Sequence, residues 1–172
     1  MPHRLLALVE IINRYPWLMG DPRWLDDAEQ RDWRSYVEGS ALLLEVRDRR
    51  LRRDHNLSLA DFEILVRLSE ASEGRLRMAE LAELSFYSRS RLSHTVARLE
   101  ARKLVQRCND DEDKRGVVAS LTETGRAVLV KAAMDNAQTV REHFIDLLST
   151  SELQAIGRAF QAVAAKARQS AE

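Results

Sequence analysis

Residues 88–103 carry two different surfaces at one helical period. Leu92, Val96 and Leu99 recur at spacings of four and three, which puts them on one face of a 3.6-residue turn. Arg91, His94, Thr95 and Arg98 repeat that spacing on another face. An apolar stripe has to be covered while a row of long donor side chains stays open, so this helix must lie on a scaffold with one side free. The next segment narrows the choice. Residues 104–108 and 117–121 are short β-prone runs around the charged stretch Asn-Asp-Asp-Glu-Asp-Lys-Arg-Gly at 109–116, the pattern of a hairpin. Thr122-Glu-Thr-Gly-Arg126 then opens a new helix.

Upstream, residues 75–84 supply Leu76, Ala79, Leu81, Ala82 and Leu84, a pattern that predicts a supporting helix packed across the first, with residues 85–88 as the turn. The order of parts is a helix-turn-helix followed by a wing. Ser88 is placed to cap the helix, and the exposed N–H groups of a helix N-terminus suit a phosphate. We therefore expect Ser88, Arg89, Ser90, Arg91, His94, Thr95 and Arg98 to face double-stranded DNA, where such side chains reach base edges and phosphates. Lys114 and Arg115 at the hairpin tip are placed to touch the duplex. Asp110, Asp111, Glu112 and Asp113 would repel DNA, so they are expected to face solvent or hold neighbouring cations.

Residues from about 26 to the C-terminus resemble transcriptional regulators of the multiple antibiotic resistance regulator (MarR) family. Asp113-Lys114-Arg115, then six residues, Thr122, two residues and Gly125, is similar to the family's wing signature. Leu92, Val96, Arg98, Leu99 and Glu100 stand where its recognition helix carries an apolar–polar pattern ending in Arg-Leu-Glu. The resemblance implies a dimeric winged-helix repressor in which Arg115 enters the minor groove from the wing and Asp113 orients it. A guanidinium fits a narrow, negative minor groove, and an adjacent carboxylate limits its rotamers. His94 departs from the family pattern, which leaves base preference there open.

Composition fits one domain-sized subunit: 172 residues, 45% apolar and 31% charged, can bury a core. Twenty-seven basic and 27 acidic residues cancel, which on its face argues against nucleic acid. Distribution matters more than the sum. Between positions 75 and 107 eight basic residues stand against three acidic ones, and the balancing acids lie elsewhere, notably at 21–45. In the first twenty residues an apolar run around Leu5–Val9 and Ile11-Ile12 is interrupted by Glu10 and Arg14. It is too short and too charged to span a bilayer and lacks a small-residue cleavage site, so the reading is a cytoplasmic protein with no membrane partner. The resemblance does not cover this extension, which is either an extra helix packed on a dimer or sequence ahead of a start at Met19.

The chain is thus expected to be mainly α with a small β-hairpin wing: an N-terminal extension at 1–24, a helical dimerisation region from 25–54 and 123–172, and a winged helix-turn-helix at 55–122. Trp33, Tyr36, Val37, Leu43 and Leu44 fall close to one stripe of a long helix. Ser58-Leu-Ala-Asp61 has capping-box form and opens a helix burying Phe62, Leu65, Val66 and Leu68. A helix from Glu123 to Leu148 would be roughly 39 Å long at about 1.5 Å per residue, longer than the winged core can cover. A last helix carries the seam Leu153, Ile156, Phe160 and Val163. These terminal helices are the expected homodimer interface, presenting two recognition helices about 34–36 Å apart to a palindromic operator; the alternative is that they cover one another in a monomer.

Enzyme chemistry finds no support. There is no Gly-rich phosphate loop, no His-Glu-x-x-His and no Gly-x-Ser-x-Gly, the four histidines lack metal-ligand spacing, and the acids at 110–113 lack the spacing of a calcium loop. No cofactor or metal is expected. The resemblance implies an effector cleft, which Trp33, Tyr36 and Phe62 would line for an apolar or aromatic ligand that relieves operator binding; each is equally readable as plain core. Cys108 is the only cysteine and excludes an intrachain disulfide. Beside Arg107, it offers a second reading as a thiol switch, with a passive strand residue as the default. A helical interaction protein that keeps the fold without binding DNA is the third reading.

Overall fold

A computed structural model describes residues 24–109 and 116–170. The N-terminal extension, and with it the choice between an added helix and a start at Met19, lies outside the described residues. The chain divides into two compact units, residues 1–39 and 40–172.

In the first unit, helix α1 (Asp27–His55) begins where Asp26 accepts the backbone N–H groups of Ala28 and Glu29, both at 2.8 Å. Trp33 and Tyr36 follow on this helix as a tilted pair with ring centroids 5.5 Å apart, both exposed.

The second unit contains the rest of α1, then α2 (Leu59–Glu70), β1 (Arg75–Arg77), α3 (Met78–Ser85), α4 (Arg89–Ala101), β2 (Val105–Asn109), β3 (Val117–Leu121), α5 (Glu123–His143) and α6 (Thr150–Gln169). The Ser58 capping box forms as the sequence predicts: its hydroxyl accepts from Asp61 N–H, and the Asp61 carboxylate accepts from Ser58 N–H. Asp48 of α1 accepts the N–H of Leu59 at 2.7 Å, so a carboxylate from one helix satisfies a free donor at the start of the next. The last turns of α1 are fastened to α5 by polar contacts: Arg47 to Asn136, Arg50 to Thr139 and Glu142, and His55 to Asp135.

The three strands form an antiparallel sheet in the order β1-β3-β2, with Leu76 opposite Ala119 and Cys108 opposite Val118. Here the sequence reading needs correction. Residues 75–77 belong to the sheet, and the supporting helix starts only at Met78; its predicted apolar set is split, with Leu81 and Ala82 buried and Leu84 exposed. Leu51, Phe62, Ile64, Leu65, Leu68, Leu81, Leu92, Val96, Leu99, Val105, Ala119 and Leu129 make one continuous core drawn from α1 to α5 and from β2 and β3.

The predicted long helix also ends early. α5 stops at His143 because Phe144 adopts φ −146°, ψ −63°, and a single 3₁₀ turn at Ile145–Leu147 leads to the Ser149 capping box that starts α6. No side chain of α6 is buried. Among the described residues, no helix is long and apolar enough to cross a membrane, and no group of His, Cys, Asp and Glu is placed to hold a metal ion.

Candidate nucleic-acid interface

Helix α4 is held by its apolar stripe and presents its opposite face. Leu92, Val96 and Leu99 are at most 1% exposed, while Arg89, Ser90, Arg91 and His94 stand at the surface. Ser88 sits in extended backbone, and its hydroxyl accepts the N–H of Arg91 at 3.3 Å, the cap expected from the sequence. The first N–H groups of α4 therefore open beside Arg89 and Arg91, an arrangement that favours a phosphate by dipole and by charge.

Two of the predicted contact residues turn away from this face. Thr95 is buried, and its hydroxyl donates to the carbonyl of Arg91 at 3.0 Å. Its position explains this: it stands three residues after Leu92 and four before Leu99, so it lies on the apolar stripe rather than opposite it. Arg98 reaches back to α2. Its Nη2 and Nε donate to Oδ1 of Asp61 at 2.6 and 3.1 Å, and the Asp61 carboxylate, almost fully buried, also accepts the Ser58 hydroxyl at 2.7 Å. A carboxylate enclosed this way requires a cation, and Arg98 supplies it while its stem spans from α4 to α2. Its guanidinium is thus a clamp between helices.

The turn between α3 and α4 is a Schellman motif. Phe86 is left-handed (φ 54°, ψ 34°), its N–H donates to Glu83 O, and the N–H of Tyr87 donates to Ala82 O, both at 3.1 Å. Tyr87 turns inward. Its hydroxyl donates to Glu63 at 2.9 Å, and the Arg91 guanidinium lies 4.0 Å from its ring centroid. Burial, reinforced by the Glu63 acceptor and its charge, pushes the phenol up to about 12, so the hydroxyl stays a donor across the physiological range. Arg91 is thereby steadied on an aromatic face with its charge outward. Spacing does not reveal Tyr87, Glu63 or Asp61 as members of this network, because each acts through a neighbour on another element.

The far end of α4 is locked to the sheet and to α5. Lys103 takes the left-handed position of a second Schellman turn, with Lys103 N–H to Glu100 O at 2.8 Å and Leu104 N–H to Leu99 O at 3.0 Å. Glu100 accepts the Nε of Arg107 at 2.9 Å, and that hydrogen bond holds its carboxyl below the usual range. Thr122 caps α5 through the N–H of Gly125 while its hydroxyl reaches the carbonyls of Lys103 and Leu104.

Asp113, Lys114 and Arg115 lie outside the described residues. Cys108 is exposed on β2, but adjacent strand residues point to opposite faces, and the Arg107 charge is engaged by Glu100. The cation that the thiol-switch reading requires is therefore not directed at the sulfur. Of the predicted ligand-lining aromatics, Phe62 is 5% exposed and belongs to the core; Trp33 and Tyr36 are exposed on the first unit. A wide-mouthed cleft of about 770 Å³ opens instead behind α4. It is lined by Leu44, Glu45, Asp48 and Arg52 of α1, by Ser58, Leu59, Ala60 and Glu63, and by Tyr87, Arg91, His94, Thr95 and Arg98. The cleft adjoins the open surface of α4, and Arg91 and His94 belong to both.

Residues 55–116 match the MarR family. The fold superposes on AbsC, a MarR family transcriptional regulator from Streptomyces coelicolor, with a TM-score of 0.82 and 40% identity over 86% of this chain and 99% of that one. It superposes equally on Sco3205, a MarR family transcriptional regulator of the same organism solved in complex with DNA, with a TM-score of 0.81 and 41% identity over 85% and 91% of the two chains. YfiV of Bacillus subtilis (strain 168), an uncharacterized HTH-type transcriptional regulator, is 28% identical over 101 residues, 59% of this chain. The match spans 61% of that regulator's length.

Proposed function

This chain belongs to the MarR family of DNA-binding transcriptional regulators, and from that premise we propose that it is a homodimeric repressor of a palindromic operator, relieved by a small ligand. The observation that carries the reading is the two-sided α4: Ser88, Arg89, Ser90, Arg91 and His94 exposed at a capped helix start, against a stripe buried to within a few percent. In this reading residues 55–122 hold the duplex. Arg89 and Arg91 approach the groove edge and its phosphates, and His94 reaches furthest along the base edges. Lys114 and Arg115, oriented by Asp113, add the wing contact. Residues 25–54 and 123–172 join the two subunits in the cytoplasm.

The ligand reading rests on the cleft behind α4. Its lining includes three arginines and three carboxylates beside Leu44, Leu59 and Tyr87, so the ligand it suits is aromatic or apolar with a charged substituent, a narrower class than the apolar or aromatic one expected from the sequence. Such a ligand would replace the contacts that set Arg91 and Arg98, and it relieves repression only if it binds the DNA-incompetent arrangement more tightly. Trp33 and Tyr36 in this reading cover a neighbouring subunit.

Binding of the protein to the DNA upstream of its own gene, titrated with salt, tests this. The expected result is tight binding to one site, weakened by Arg91→Ala and Arg115→Ala, each making the slope of log affinity against log salt shallower by about one unit for every phosphate no longer neutralised. Affinity equal to that for random duplex at every salt would rule the reading out at that site.

A further inference from the structure

Phe86 is the most exposed large hydrophobic side chain among the described residues, at 79%, and it occupies a backbone conformation that disfavours it. At φ 54° it holds the left-handed position of the Schellman turn that ends α3, a place where glycine is unstrained and a bulky L-residue is an outlier. Most of the aromatic ring at this position is left uncovered by the described chain. Its neighbour Tyr87 faces the interior and completes the Glu63–Arg91 network, so the turn directs two consecutive aromatics to opposite sides. The hydrogen bonds of the turn hold the strained backbone, but the exposed ring gains its offset from a surface outside the subunit.

The position identifies that partner. Phe86 stands two residues before the Ser88 cap, at the opening of α4, with exposed Arg89, Ser90 and Arg91 just beyond. We propose that Phe86 is a DNA-contacting residue: its ring packs on the apolar surface of a nucleotide at the edge of the major groove that receives α4. Duplex DNA offers two such surfaces there, the C5-methyl group of thymine and the face of a deoxyribose. A ring wedged against either fixes how deep the helix enters and adds an uncharged contact beside the phosphate contacts of Arg89 and Arg91. If the thymine methyl is the surface, Phe86 also discriminates a base pair. The inference rests on the DNA-binding reading above.

Two substitutions separate function from folding, because both new residues tolerate the left-handed backbone. Phe86→Gly and Phe86→Asn should leave the thermal midpoint unchanged or raised, yet weaken binding to a duplex selected from a random pool by about tenfold, in line with the loss of a buried Phe side chain. The salt slope should not change, since the same phosphates stay neutralised. Replacing each thymine of the selected duplex in turn by uracil assigns the surface: a loss of affinity in the native protein that is absent from Phe86→Gly marks the thymine methyl, and no loss at any position marks the sugar. Unchanged affinity in both variants overturns the proposal while leaving DNA binding intact, as does a change of assembly state without a change of affinity. Failure of the native protein to enrich any sequence from the pool overturns the DNA-binding reading together with it.

Discussion

At the scale of single residues, the junction at Gly125 shows how tightly the DNA-facing unit is assembled. A Cβ there would stand 2.0 Å from the Leu104 carbonyl oxygen and 2.8 Å from Cδ1 of Leu121. Neither the helix start nor the strand end can withdraw, because Thr122 ties both through its hydroxyl. Gly125→Ala should therefore destabilise the fold by about 3 kcal/mol, the upper part of the usual overpacking range, read as a lower urea midpoint with unchanged slope. Tyr87 gives a pH signature. Its phenol is raised above the ordinary value, so the stability it contributes is complete below about pH 10 and is lost as pH rises towards about 12. The difference in urea stability between the native protein and Tyr87→Phe should be constant through neutral pH and shrink across that window; a difference that grows with pH would contradict the assigned hydrogen bond. How far the sequence discloses such residues depends on range. The Ser88 and Thr122 caps and the Ser58 capping box are legible because they act within three residues. Thr95 is misplaced by spacing because the apolar stripe is one residue wider than Leu92, Val96 and Leu99 alone suggest. Arg98 is misplaced because its partner Asp61 is 37 positions away, a pairing that no local period encodes.

At the scale of elements, the decisive contact is between α4 and α2. The buried Asp61 carboxylate is balanced by the half-exposed Arg98 guanidinium, which connects the helix facing DNA to a helix of the core. Removing the cation strands the carboxylate among Ser58 donors. Arg98→Met should cost about 2 kcal/mol, less than for a fully buried pair because solvent reaches the guanidinium. It should also weaken operator binding without altering the salt slope if, as the clamp to Asp61 implies, Arg98 orients α4 without neutralising a phosphate. A slope shallower by about one unit would instead return Arg98 to the DNA face, as spacing alone suggests. Legibility at this scale follows the length of each apolar period. Helices α2 and α4 are readable because their apolar periods run for three turns. Strand β1 escapes because three residues, Arg75, Leu76 and Arg77, carry only one alternation, and the apolar positions that follow extend the pattern into α3. What makes them a strand is the edge of β3, a tertiary partner and not a local preference.

At the scale of the whole molecule, the formal charge of zero conceals a local excess: Arg89 and Arg91 stand exposed at the start of α4, within a stretch, 75–107, that holds eight basic residues against three acidic ones. Apolar surface is concentrated too. Along α6, Leu153 and Ile156 are only half-covered and Val163 is 59% exposed, while Met134 on α5 and Leu147 in the turn before α6 are 70% and 72% exposed. In the proposed homodimer this 20-residue amphipathic helix with no buried residue would meet a second copy of itself, through a two-fold interface in which each patch faces its equivalent. Sedimentation should accordingly report twice the 19.7 kDa chain mass at micromolar concentration. Val163→Glu puts a charge into that seam and should shift the protein towards the single-chain mass. Its thermal midpoint should then fall and become less dependent on concentration than that of the native protein, as mass action requires when association no longer stabilises the folded chain. Operator affinity should drop by tenfold or more, because two half-sites bound by separate subunits lose the effective concentration that a shared interface supplies. Each subunit would retain its exposed arginines, so binding to a single half-site should survive at the affinity of one α4. Footprints of the native protein should show two protected half-sites centred about 34–36 Å apart on one side of the duplex, the spacing a two-fold dimer imposes. A native protein that sediments as one chain and protects a single uninterrupted half-site would assign the α6 seam to a different partner, and repression would then have to proceed through a monomer.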